Sequence, residues 1–200
     1  EVMKSFVPRV AYGEFCSKGL DNSPYALLIN DKIIFHDLMS FYQLPVSDML
    51  FVFENDHFKS KGKVLDDCQV DCIIGQLTEE RIFVKRFSGG AASGISIFSR
   101  KGDAYYDNGT KISAIYIRNQ FHGQKVFFER QLLQESVLNS FNPDTVNTIR
   151  VMTLNINNNP QVISAAVRFG RTGGFVDITA KGGVAVSLDI KTGRLGEWGI

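Results

Sequence analysis

Lysines that precede glycine-rich turns are the residues of this chain best suited to chemistry. In FVKRFSGGAASGISIF (83–98), Lys85 stands in an apolar, strand-like run, and a loop of little but serine, glycine and alanine follows. Backbone N–H groups of such a loop can close over phosphates while a lysine on the preceding strand supplies a point charge. A flexible hairpin beside an edge lysine explains the same residues without any ligand. Lys181 enters a second glycine pair in DITAKGGVAV (177–186), and Lys32 follows Asp31 at the start of a helical pattern. Arg150 lies in a β-rich run, and Glu129 ends an apolar strand that becomes the connector ERQLLQES. Each alone reads as a solvated surface charge; their order along the chain is the signal.

The glycine spacing excludes two familiar phosphate motifs. Gly89 and Gly94 have the spacing of a Walker loop, but Ile95 occupies the position that needs lysine. Gly89, Gly90 and Gly94 do not make the Gly-x-Gly-x-x-Gly of dinucleotide and kinase loops.

Apolar residues every three or four positions predict a helix over DKIIFHDLMSFYQL, with Asp31 as N-cap and Pro45 as stop. VLDDCQVDCIIGQL (64–77) reads as a second amphipathic helix, and KISAIYIRNQF as helix or strand, helix being preferred. VSDMLFVF, RIFVKRF, GISIFSR and KVFFERQLL read as strands, the last running into a connector. RIFVKRF puts Phe83, Lys85 and Phe87 on one face, and Ile82, Val84 and Arg86 on the other. DNGT predicts a tight turn. TVNTIRVMTLNI and QVISAAVRFG flank the turn NNNP as an antiparallel pair, and GGVAVSLDI is a further strand closed by KTGRLG. Residues 1–30 read as an extended lead-in. The whole is α+β.

Composition narrows the class. With 44% apolar and 22% charged residues and a net charge of +1, the chain reads as globular, without the field of a nucleic-acid or membrane-surface binder. No apolar run approaches the roughly 20 residues of a membrane helix, and the N-terminus lacks a signal-peptide layout. Three cysteines are too few and too odd for a disulfide framework. Cys68 and Cys72, with His57 nearby in sequence, read as buried or idle thiols rather than a metal site. A cytoplasmic protein is expected.

The order of these segments resembles the ATP-grasp superfamily, most closely its sugar-transfer and polysaccharide-associated branch, related to D-alanine–D-alanine ligase-like carboxylate–amine ligases. NSPYALLINDKIIFHDLM, FVKRFSGGAASGISIF, FFERQLLQESVLNSFNPDTVNTIRVMTL and GGVAVSLDIKTGRLG carry the resemblance, from about residue 23 onward. It implies a lead-in and first helix over 1–44, a small nucleotide-binding lobe over 45–128, and a hinge with an incomplete antiparallel-sheet lobe over 129–200. Lys32 and Lys85 would contact the phosphates of ATP, with Ser88, Gly89, Gly90 and Ser93 in the loop folding over them. Glu129 and the backbone through Leu132 would meet the adenine edge, and Gln134 or Glu135 the ribose. Arg150 and Lys181 would face the γ-phosphate or an acceptor carboxylate.

The implied activity is that of a ligase making an acyl phosphate from an unidentified carboxylate for attack by an unidentified nucleophile. A non-catalytic nucleotide-binding or scaffold module, and a kinase acting on a hydroxyl, remain as alternatives. The superfamily holds Mg2+ with an aspartate and a Glu-x-Asn pair, and no Glu or Asp here has Asn two positions on. Those ligands are therefore expected beyond Ile200, with Asp177 and Glu197 the carboxylates to examine otherwise. On this expectation the chain alone is inactive, and apolar strand surface around 146–157 and 162–168 is left uncovered, favouring self-association.

Overall fold

The computed structural model describes residues 30–87 and 94–200. The expected lead-in over 1–29 and the loop 88–93 lie outside the described residues. Asp31 caps the first helix, α1 (Lys32–Phe41), by accepting from the backbone N–H groups of Ile33 (2.9 Å) and Ile34 (3.1 Å). The helix ends at Phe41, before Pro45.

A hairpin of β1 (Met49–Glu54), β2 (His57–Ser60) and β3 (Lys63–Leu65) follows. Both connections are two-residue turns with left-handed backbone at Asn55, Asp56, Lys61 and Gly62, the twist that antiparallel strands favour. Helix α2 (Asp67–Gly75) is shorter than its sequence pattern suggests, because Val64 and Leu65 belong to β3. Its start is fixed by a capping box between Asp66 and Gln69. Cys68 and Cys72 are exposed on this helix rather than buried.

Strands β4 (Arg81–Arg86), β5 (Ile95–Lys101), β6 (Ala104–Asp107) and β7 (Thr110–Lys111) continue the sheet, and the Asn108–Gly109 turn falls where DNGT predicts it. Helix α3 (Ala114–Gln120) precedes β8 (Val126–Arg130). The order is β3-β2-β1-β8-β4-β5-β6-β7, so β8 inserts between the first hairpin and β4, and every pairing is antiparallel. One face of this sheet holds Phe51, Phe53, Phe58, Phe98 and Phe128 against Val70 and Ile74 of α2 and Ala114 and Ile117 of α3. Phe51 and Phe128 stack with centroids 4.4 Å apart. Each such buried ring contributes about 1.5–3 kcal/mol by burial alone, which makes this face the rigid platform of the molecule.

Helix α4 (Ser136–Phe141), absent from the sequence reading, leads into a second sheet of β9 (Thr148–Ile156), β10 (Asn159–Phe169), β11 (Val184–Leu188) and β12 (Leu195–Gly199), ordered β12-β11-β10-β9. The turn between β9 and β10 is Asn157–Asn158, both left-handed; Asn159 and Pro160 are already paired in β10. Strand β12, also unforeseen, continues past the KTGRLG turn. Ile149 and Val151, each 54% exposed, show apolar surface on this sheet.

Candidate functional site

The face of the first sheet that does not enter the core turns toward a cleft of about 990 Å³. Along β4, Ile82 and Val84 are buried, while Arg81, Phe83 and Lys85 line the cleft. Glu129 comes from the neighbouring β8, opposite Phe83. The second sheet supplies Thr148, Arg150 and Arg168, and the connector after β8 closes one side with Gln131, Leu132 and Gln134.

Two lysines reach this cleft from different elements. Lys85 forms an ion pair with Glu129, whose other oxygen accepts from the Ser47 hydroxyl. Glu129 is buried and Lys85 half-buried. Lys32, in the first turn of α1, donates to the Arg86 carbonyl at 3.0 Å. The helix that carries it is anchored by His36, whose Nε2 lies 3.1 Å from the Ser47 carbonyl. Burial, and then the Lys85 ammonium, hold the Lys32 amine below the ordinary lysine value, while Glu129 pulls it the other way. Two ammonium groups thus repel each other across one carboxylate, and a polyphosphate can relieve that repulsion. Lys85 is not an edge residue, because β4 lies between β8 and β5.

The opposite wall is built on Asp177. Its carboxylate accepts from the Thr148 hydroxyl and lies 3.6 Å from Arg168 Nη2, while its carbonyl accepts from Arg168 Nε (3.0 Å) and Nη2 (2.8 Å). Gly183 holds this segment down. A Cβ there would meet the carbonyls of Phe169 (2.8 Å), Asp177 (3.0 Å) and Ile178 (3.0 Å), so no side chain fits. Arg150 stands two residues from Thr148 on the same face of β9, exposed, and its guanidinium has no ion pair or hydrogen bond among the described residues.

The structure therefore brings Lys32, Lys85, Glu129, Leu132, Gln134 and Arg150 to one cleft. Lys181 lies in a short 3-10 turn (Thr179–Lys181) and Glu135 caps α4; neither lines the cleft. Ser88, Gly89, Gly90 and Ser93 lie outside the described residues. Gln134 directs its amide inward: Nε2 is within bonding distance of the carbonyls of Asn142 (2.8 Å) and Thr145 (2.9 Å), and Oε1 accepts from Asn147 N (3.0 Å). Arg130 turns away from the cleft floor to Asp48 (2.7 Å) and Glu79 (2.6 Å), and the bond to Glu79 raises its already high pKa.

The volume and the lysine pair suit a nucleoside triphosphate. They do not suit a divalent cation. Glu129 is taken by Lys85 and Ser47, Asp177 by Thr148 and Arg168, and Asp144 accepts from Gly173 N at 2.6 Å. Among the described residues no three His, Cys, Asp or Glu side chains gather to hold a metal.

An eight-stranded antiparallel sheet backed by two helices, facing a second sheet across a lysine-lined cleft, is an α+β architecture of the ATP-grasp kind. The chain belongs to the sugar-transfer associated ATP-grasp family, whose description matches residues 15–199. Neither the curated proteins nor the solved structures gave a match. Membership makes ATP the nucleotide partner and ATP-dependent ligase-type chemistry the general activity. No helix among the described residues is long and apolar enough to cross a membrane.

Sequence reasoning passed over Arg168 and Thr148. They stand opposite each other across β9 and β10 only because the register shifts between Val162 and Ser164. Without that bulge Thr148 would face Val167, and Arg168 would point to the other side of the sheet.

Proposed function

We propose that this chain is the ATP-binding part of a ligase that activates a carboxylate as an acyl phosphate, acting in polysaccharide or cell-envelope biosynthesis. The observation that carries it is the convergence of Lys32 and Lys85 on Glu129 in the cleft of a sugar-transfer associated ATP-grasp chain. On this reading 45–128 is the small lobe and 129–200 the hinge and strands of the second lobe, with Arg150 toward the acceptor. A carboxylate oxygen attacks the γ-phosphorus and ADP leaves. A nucleophile then attacks the carbonyl carbon and inorganic phosphate departs. Lys32 and Lys85 neutralise phosphate charge as the bond to ADP breaks, and the exposed Arg150 guanidinium is placed to orient an anionic acceptor.

The test has two stages. ATP titrated calorimetrically into the wild type should bind, and Lys85→Met combined with Glu129→Gln, which removes both members of the ion pair, should weaken binding about tenfold or more. Turnover by a protein that also carries the family's Mg2+ ligands, with panels of amino acids and sugar acids and hydroxylamine present, should then yield a hydroxamate from the acyl phosphate. Phosphorylation of a hydroxyl with no hydroxamate would replace the ligase reading by a kinase; no ATP binding by the wild type would end both.

A further inference from the structure

Helix α1 carries Lys32 to the cleft, yet none of its ten residues is buried. Its half-buried residues, Lys32, Ile33, His36 and Met39, follow helical spacing and define its least exposed face. Two of those four are apolar, so polar contacts do much to fix where the helix sits. Lys32 and His36 stand one turn apart on that face. Lys32 Nζ donates to the Arg86 carbonyl at 3.0 Å, and His36 Nε2 lies 3.1 Å from the Ser47 carbonyl. A carbonyl only accepts, so His36 carries a proton on Nε2.

The two carbonyls sit on different strands. Arg86 ends β4, and Ser47 stands two residues before β1; these strands flank β8 on either side. Ser47 makes a second bond, from its hydroxyl to Glu129 of β8, whose other oxygen holds Lys85. One residue thus fixes Glu129 through its hydroxyl and α1 through its carbonyl. Neither His36 nor Ser47 lines the cleft, so neither is placed to touch a ligand there. Burial and the nearby Lys85 ammonium both disfavour the charged form of Lys32. A helix free to pivot would relieve both by carrying Lys32 away, and the His36 bond opposes that movement.

We propose that His36 is a positioning residue for phosphate binding: its bond to the Ser47 carbonyl holds α1 so that Lys32 stands beside Lys85 before a ligand arrives. This rests on the ATP-binding reading above. A lysine already in place binds phosphate without the ordering cost that a swinging one bears. His36 meets no phosphate itself, so its whole contribution passes through Lys32.

The experiment titrates ATP and inorganic tripolyphosphate calorimetrically into the full 200-residue chain. The proteins are wild type, His36→Ala, His36→Gln, Lys32→Met and the double variant His36→Ala with Lys32→Met, each held below its melting temperature. His36→Ala should weaken binding of both ligands about threefold or more. His36→Gln keeps an N–H donor near the place of Nε2 and should recover most of that loss. In the Lys32→Met background His36→Ala should change neither affinity, because residues that act through one another are not additive. A purely structural loss would instead carry over into that background. An equal loss there, no recovery with glutamine, or wild-type affinity in His36→Ala overturns the positioning role and leaves the ATP reading standing. Failure of the wild type to bind either ATP or tripolyphosphate overturns the ATP reading, and this inference with it.

Discussion

Lys85 and Glu129 are joined across neighbouring strands two residues out of register: Glu129 faces Phe83, while Lys85 faces Phe127 and reaches diagonally to the carboxylate. The side chain of Glu129 is only 8% exposed, against 31% for Lys85. Removing the lysine therefore leaves a nearly buried charge that keeps the Ser47 hydroxyl as a hydrogen-bond donor and the partly buried Lys32 ammonium nearby, without its own ion pair. Lys85→Ala should cost about 1–3 kcal/mol of stability, and Lys85→Ala with Glu129→Gln should recover most of it. Urea unfolding of both variants checks this. A single mutant as stable as the wild type would restore the view of Lys85 as an incidental surface charge.

Because Lys32 sits in partial burial beside Lys85, its amine loses its proton at a lower pH than an ordinary lysine. The sign follows from linkage. Between the lowered folded value and the ordinary unfolded one, the unfolded chain holds the extra proton, so this group makes stability rise with pH across that alkaline window. ATP affinity should move the other way, falling as pH climbs through the folded value toward about 10.5, because a cationic contact is lost. Lys32→Arg should flatten that fall, since a guanidinium stays charged throughout. Affinity measured against pH for both proteins is the check; superimposable profiles would show that Lys32 does not hold the phosphates.

What was legible from sequence is what depends on neighbours in the chain. The alternation of RIFVKRF sorts Phe83 and Lys85 from Ile82 and Val84, and the Asp31 cap and Asn-Gly turn fall where residue chemistry puts them. The partner of Lys85 was not legible as such, because β8 enters the sheet between β1 and β4 from more than 40 residues away. The hairpin β2–β3 was missed because Lys61 adopts left-handed backbone at φ 48°, a conformation its side chain does not advertise. The family resemblance named Lys32, Lys85, Glu129, Leu132, Gln134 and Arg150, which line the cleft, with Lys181 and Glu135, which do not, and it passed over Thr148 and Arg168. It did not supply their bonds, and for Gln134 the bonds change the expected role.

Gln134 is placed near the ribose by resemblance, yet its amide ties the loop 142–147 to the connector. Asn147, 3% exposed, gives it both a backbone and a side-chain hydrogen bond and also donates to the carbonyls of Leu138 and Asn142. That loop feeds directly into β9, which carries Thr148 and Arg150. Gln134→Ala would orphan the Thr145 carbonyl and the backbone N–H of Asn147, so it should lower stability by about 1–3 kcal/mol, or several degrees of melting temperature at this size. A glutamine whose work is to position β9 also has a different binding signature from one that reads the sugar. If Gln134 touches the ribose, its loss erases any preference for ATP over 2′-deoxy-ATP; if it positions β9, that preference survives. The second outcome is expected, and titration of both nucleotides into wild type and variant, below the melting temperature of each, separates the two.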